Sequence, residues 1–394
     1  MIRRATADDV DSYLRVAGYS YSFPESYTDM ARERFIDSYD EHYVVEEKER
    51  VVALARVLPL EQNVRGVWKK MGGVAMVAST PEHRRQGHVR DMIMKMMADI
   101  QRSDYAVSCL YPFKDSFYMR VGYVKMPPLG VLELNPSNIV NRSMPEGYSV
   151  MMVDPAEGKE PWTSVHSRVV TAAHGGVRRS QKRWDELTKY MKSKMAIAYG
   201  PDMTPEGVVV YGIRGYGEGY DWAETGRISV REILWSNLQA RNALLTFLYL
   251  HADQVVKVSI PVDPRADDYY HWISGVHNPT LTSRIVHMSR VIDVQQAFEG
   301  IPVNEEGEVV LSVEDPCLTS NTGTYLFTGV GGKLSVTRSD KRPSAQVTIE
   351  GLTALLYGTL SLEQMASMGW LSGEVQGPLM DWLPRAVPWL TEDF

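Results

Sequence analysis

Residues 74–100 read VAMVASTPEHRRQGHVRDMIMKMMADI. The first seven are mostly apolar and stop at Thr80-Pro81. Such a run predicts a strand buried on both faces. From Val89 the apolar residues fall at Val89, Met92, Ile93, Met96, Met97 and Ile100, offsets of 0, 3, 4, 7, 8 and 11. That spacing is one stripe of an amphipathic helix. Between strand and helix lies HRRQGHVR, residues 83–90, with Arg84, Arg85, Arg90, His83 and His88 around Gly87. Arginines at a helix N-terminus oppose its dipole, at a cost of roughly a few tenths of a kcal/mol each. The first N–H groups of the helix lack intrahelical acceptors, and a glycine lets a bulky group approach the backbone. A bound phosphate or pyrophosphate offsets that cost, so the turn reads as an anion cradle. A solvated basic turn is the plainer alternative.

Working outward, MIRRA is a short strand, and ATADDVDSYLRVAGYSYSF starts a helix that Thr6 can cap and Asp8 and Asp9 suit electrostatically. EHYVVEEKERVVALARVLP has two apolar stretches around a charged centre, a hairpin signal. DYAVSCLYPF is a further strand, and KDSFYMRVGYVKMP a short helix followed by a strand. Helices and strands in this order belong to α/β or α+β folds.

Composition narrows the function classes. A chain of 394 residues with 44% hydrophobic and 23% charged residues is an ordinary globular protein of two or three domains. The net charge of −7 argues against a nucleic-acid binder. It suits a cationic substrate, or serves solubility alone. Two distant cysteines, Cys109 and Cys317, suggest a reducing compartment without a disulfide framework. Cys109 sits in AVSCLY and reads as packing. The N-terminus has no apolar signal core and no run of about 18 apolar residues occurs, so no membrane partner is expected and the cytoplasm is the expected location. The nine histidines show no metal-ligand spacing, so no metal is expected. His174, in AAHGGVRRS, reads as a loop residue, and DPRADDYYHW as a solvated acidic loop.

Arg84-Arg85-Gln86-Gly87-His88-Val89 resembles the acyl-CoA motif R/Q-x-x-G-x-G/A of GNAT-superfamily N-acyltransferases, with Val89 in the place of the last Gly or Ala. LYPFKDSFYMRVGYVK adds the F-Y-x-x-x-G-Y segment that closes such a domain. Over its full length the chain resembles the Eis family of bacterial acetyltransferases, including an aromatic last residue in WLTEDF. The resemblance implies a mixed α/β (α+β) fold with an acetyl-CoA-binding GNAT domain (1–144), a degenerate second GNAT domain (145–290) and a sterol-carrier-protein-like domain (291–394). The middle segment supports this on its own. REILWSNLQARNALLTFLYLHADQVVKVSIPV repeats the strand–turn–helix–strand order, but its turn lacks R-x-x-G, so one acyl-CoA site per chain is expected. The last segment reads as strands between Gly, Asn and Asp turns, two short helices and an irregular Pro- and Trp-rich end.

The resemblance also implies roles. The backbone at Val77 and Ser79 would pair with the pantetheine arm of acetyl-CoA, and the amides around Arg85, Gly87, His88 and Val89 would hold its pyrophosphate. Arg84, Arg85 and Arg90 add charge-assisted contacts, though not all to one phosphate. Tyr118 would be the general acid for the leaving thiolate; without the family it reads equally as a packing aromatic. The α-carboxylate of Phe394 would be the general base. Phe23 and Glu25, in GYSYSFPESY, mix aromatic and acidic character suited to an amine acceptor, or belong to the core. Asp393 and Glu392 could attract a cation. The implied reaction is acetylation of a small polycationic amine, an aminoglycoside or polyamine. Protein lysine acetylation and a non-catalytic acyl-CoA-binding scaffold are the alternatives, and the family implies a homo-oligomer, a hexamer.

Overall fold

The computed structural model describes residues 1–215, 226–266, 268–275, 278–284 and 287–394; within DPRADDYYHW, residue 267 lies outside the described residues. They form two units. The first comprises residues 1–126, 177–179 and those from 287 on. Its opening strand β1 (Ile2–Arg4) pairs with β2 (His42–Glu47). Thr6 and Asp9 form a capping box, and Asp9 also takes two hydrogen bonds from the Arg3 guanidinium, which fixes the entry to α1 (Val10–Tyr21). α2 (Thr28–Ile36) follows. The expected hairpin is β2 with β3 (Arg50–Val64), turning at Lys48 and Glu49, both at positive φ as a tight hairpin turn requires.

β4 (Val67–Ser79) leads into α3 (His88–Gln101) and then β5 (Val107–Leu110), α4 (Asp115–Met119) and β6 (Val124–Lys125). α3 buries Met92, Ile93, Met96, Met97 and Ile100, while Val89 is half-buried. The sheet runs β1-β2-β3-β4-β5, then strand Met288–Val291, then β6. Strand Met288–Val291 is wholly buried; all four residues pair with β5, Met288 and Ser289 pair also with β6, and the Val291 N–H donates to Thr353 Oγ1 at 3.1 Å. The first sheet thus takes β1–β6 from residues 2–125 and a late strand that returns at residues 288–291 to complete it.

A five-stranded sheet in the same unit orders Lys333–Arg338, Gly323–Val330, Gly307–Glu314, Ala345–Thr348 and Leu371–Gly373, with helix Ile349–Tyr357 almost wholly buried. One core joins Leu58, Leu60 and Met71 of β3 and β4 to Leu352, Leu355 and Tyr357 of that helix. The tail expected to be irregular holds one short helix, Leu379–Trp382, and no regular element after it.

The second unit, taken by itself, is a seven-stranded sheet. In it Arg227–Trp235 and Lys257–Val262 run parallel across helix Leu238–Tyr249, repeating the β4-α3-β5 arrangement. Asn237 caps that helix through its side chain, where the first copy has Gly87.

A fully buried ion pair ties strand Met288–Val291 into the first unit. Arg290 Nη2 donates to both oxygens of Asp315 at 2.8 and 2.7 Å, and Nη1 to the Val121 carbonyl. Gly122, at φ +81°, leaves that space open: an added Cβ would stand 1.7 Å from Arg290 Nη1. Asp315→Ala strands a buried guanidinium, and we expect a loss of about 3–5 kcal/mol in urea denaturation followed by tryptophan fluorescence.

Candidate active site

The site is built on a fork. β4 and β5 pair in parallel from Met71–Val107 to Val74–Leu110, and then β4 continues to Ser79 paired with β3 but not with β5. Past the fork β4 bulges against β3: Ala75 faces Arg56 and Ala78 faces Leu54, so Met76 and Val77 stand against Ala55, with Met76 at φ +53°. A bulge of this kind bends and twists its strand. The Val77 carbonyl accepts from the Tyr21 hydroxyl at 3.2 Å. The Ser79 carbonyl has Ser20 Oγ and Arg84 Nη2 each at 3.5 Å.

The HRRQGHVR turn follows. Arg85 is at φ +62° and Gly87 at φ +91°, and Gly87 is the N-cap of α3. The first helical bond runs from Asp91 N–H to the Gly87 carbonyl at 3.0 Å. The N–H groups of His88, Val89 and Arg90 therefore have no helical acceptor. A side chain at position 87 would be strained and would stand 3.4 Å from Arg90 Nη2. The three arginines are exposed but are not gathered on one point. Arg90 turns to Asp91 at 2.8 Å, Arg84 lies toward Ser79, and Arg85 projects into solvent. His88 Nε2 lies 3.3 Å and His83 Nε2 3.7 Å from Glu47 Oε2, ion pairs when the imidazoles are protonated. Sequence reasoning missed Glu47, because it reaches the turn from the far β2–β3 hairpin. Free amides at the start of a fourteen-residue helix, a glycine at positive φ and excess positive charge fit the pyrophosphate of acetyl-CoA.

Tyr118 of α4 is 1% exposed. Its ring packs edge-on to Phe117, Phe113 and Tyr123 at 5.0, 5.4 and 6.0 Å. Its hydroxyl makes no hydrogen bond among the described residues. Burial pushes that phenol well above its ordinary pKa. Tyr123 differs: its hydroxyl is bonded at 2.7 Å to buried Ser108, as expected of a core residue. Burial pushes the Cys109 thiol up to about 11, which removes it as a nucleophile at neutral pH.

The C-terminal tail closes the other face of the sheet. The half-buried Phe394 ring rests on Gly73 and Leu60; a Cβ on Gly73 would stand 3.2 Å from Phe394 Cζ. Tyr111, just past the end of β5, meets the Phe394 ring edge-on at 5.4 Å and donates its hydroxyl to the Glu392 carbonyl at 2.7 Å. Asp393 is exposed. Phe23 is half-buried and lines a cavity of about 90 Å³ with Tyr13, Tyr21, Tyr27, Arg34, Arg56 and Met76. Glu25 does not line it; it sits exposed on the turn Glu25–Tyr27. Phe23 and Glu25 are thus separated. Gly73 and Tyr111 were not singled out, since no local pattern announces which glycine or aromatic a distant tail will touch.

Residues 1–126 match the family model of an acetyltransferase (GNAT) domain, residues 175–291 a second GNAT-domain model, and residues 294–391 the model of a sterol carrier protein domain. The chain is a GNAT acetyltransferase that resembles the Eis proteins. It is 25% identical over 333 residues to the N-acetyltransferase Eis of Mycobacterium tuberculosis, covering 80% of this chain and 78% of that one. It is 23% identical to an uncharacterized N-acetyltransferase of Streptomyces avermitilis, covering 82% and 81%. The fold matches a GCN5-related N-acetyltransferase of Anabaena variabilis with TM-score 0.85 (20% identity, 99% and 98% covered). It also matches Eis1 of Mycobacterium abscessus with TM-score 0.77 (18% identity, each chain covered fully). GNAT acetyltransferases use acetyl-CoA, and the Gly87 turn offers free N–H donors of the kind that phosphate oxygens accept from. We expect Gly87→Val to weaken acetyl-CoA binding at least about tenfold in calorimetry, through strain at positive φ and a blocked approach. In the folded enzyme a thiol reagent at neutral pH should modify Cys317 and spare Cys109 until denaturant is added.

Proposed function

We propose that the enzyme transfers the acetyl group of acetyl-CoA to a primary amine of a small cationic acceptor by direct attack, with Tyr118 as general acid and the Phe394 carboxylate as general base. The observation that carries this reading is Tyr118 itself, a buried phenol whose proton no other described residue uses. Acetyl-CoA supplies a thioester carbon open to attack. The amides of His88, Val89 and Arg90, with Arg84 and Arg85, hold its pyrophosphate, and the β4 backbone at Val77 and Ser79 aligns the pantetheine arm. Tyr118 Oη keeps its proton through neutral and mildly alkaline pH, because burial disfavours the phenolate. It is ready to pass that proton to the departing sulfur.

An aliphatic ammonium, with a pKa of about 10.4, must lose a proton before it attacks. A free terminal carboxylate, at about 3.3–3.7, is a weak base in water. An apolar setting favours the protonated form of a carboxylate, and the Phe394 ring lies against Gly73 and Tyr111. Exposed Asp393, Glu25 and the net charge of −7 suit the remaining ammonium groups of an aminoglycoside or polyamine held outside.

Release of the CoA thiol with a panel of aminoglycosides, polyamines and lysine peptides tests the reading. Tyr118→Phe should lower kcat by about 10²–10⁴-fold while acetyl-CoA still binds. Undiminished turnover in Tyr118→Phe would remove the general-acid role. Residues added after Phe394 should depress kcat comparably, because they move the carboxylate away.

A further inference from the structure

A chain terminus is an unpromising place for a catalytic group, because terminal residues ordinarily fray. Displacement of a reacting group by about 1 Å can cost on the order of 10²-fold in rate. The tail therefore needs an anchor close to its end, and an anchor is present. Arg179 Nε meets Glu392 Oε2 at 2.5 Å, with the two side chains 5% and 1% exposed. One residue earlier, Thr391 Oγ1 accepts from the Val177 N–H at 2.9 Å. The Glu392 carbonyl accepts from Tyr111.

The platform under this anchor is itself tied down. Val177 and Arg178 pair with Gln62 and Glu61 of β3, and the Arg178 guanidinium lies 3.9 Å over the Trp68 ring. Residues 177–179 are a short excursion of the chain that otherwise builds the second unit. Apolar packing alone would let an extended tail slide in register. A buried pair of opposite charges has one low-energy register, since any slip strands two desolvated charges.

We infer that Arg179 is a positioning residue for the reaction: through the Glu392 carboxylate it fixes the chain end that carries the Phe394 carboxylate. The inference rests on the general-base reading of Phe394. Arg179 acts here through Glu392, so its effect belongs in kcat rather than in acetyl-CoA affinity.

The test compares four proteins, R179M, R179M/E392Q, the chain lacking Phe394, and R179M in that shortened chain, by kcat, acetyl-CoA affinity and thermal melting. R179M/E392Q removes both charges of the pair, so it carries the comparison even if R179M alone fails to fold. We expect the Arg179 variants to lose at least about tenfold in kcat with acetyl-CoA affinity unchanged. We expect R179M to cost nothing further in the chain lacking Phe394, with residual rates followed by radiolabelled acetyl transfer. Equal losses in both backgrounds would mean that Arg179 acts on the fold at large, and would overturn the inference. Unchanged kcat in R179M/E392Q beside a severe loss on removing Phe394 would overturn it while leaving the base in place. Unchanged kcat on removing Phe394 would overturn the general-base reading and the inference together.

Discussion

The architecture of the first unit depends on four parallel residue pairs between β4 and β5, and on their ending at Val74 and Leu110. Had the pairing continued, the backbone of residues 75–79 would be consumed by the sheet. The bulge at Met76 bends β4 as the pairing ends. What lies near the fork follows from it. The chain leaving β4 forms the Gly87 turn, and α3 then closes back over the sheet. The chain leaving β5 passes Tyr111 and reaches Tyr118 within one short helix. An open slot is therefore made by withholding hydrogen bonds from an otherwise complete sheet, and neighbouring side chains such as Tyr21 partly satisfy what is withheld.

The two faces of the sheet divide the work. α3 and α4 pack their apolar residues on one face, with Met92, Ile93 and Tyr118 in a single core. The other face takes the five-stranded sheet, its helices and the tail, with Leu60 and Met71 in contact with Leu355 and Leu390 as one core. Gly72 and Gly73 show the division at adjacent positions. A side chain on Gly72 would run into Ile100 of α3, and one on Gly73 into Leu60 and Phe394. Consecutive strand residues face opposite ways, and both faces here approach too closely for a side chain.

Much of this was legible in the sequence because its signals are local. The α3 stripe, the Gly87 turn, the hairpin at Glu47-Lys48-Glu49 and the repeated strand–turn–helix–strand of the middle segment each declare themselves within about thirty residues. What was not legible depends on contacts distant along the chain. MSRV at 288–291 carries no mark that it pairs with both β5 and β6. Glu47 reads as part of a solvated hairpin, yet it sits by the cradle histidines. Arg179 reads as one more charge in a basic loop, yet it is buried against Glu392. Phe23 and Glu25 were paired by proximity in sequence, and the turn between them sends one side chain inward and the other to solvent.

The place of strand Met288–Val291 also bears on how such a chain is made. Residues 1–126 leave the ribosome with a gap in their sheet, since β5 and β6 each lack the neighbour that separates them. That neighbour is completed about 165 residues later. At about 5–20 residues per second the gap stays open for on the order of ten to thirty seconds. During that time the edges of β5 and β6 are unsatisfied templates for any extended chain nearby. The buried Arg290–Asp315 pair can form only after the gap is filled and the following segment has emerged. The first domain to be synthesised is thus among the last to be finished, and cutting the gene after it would yield a sheet that cannot close.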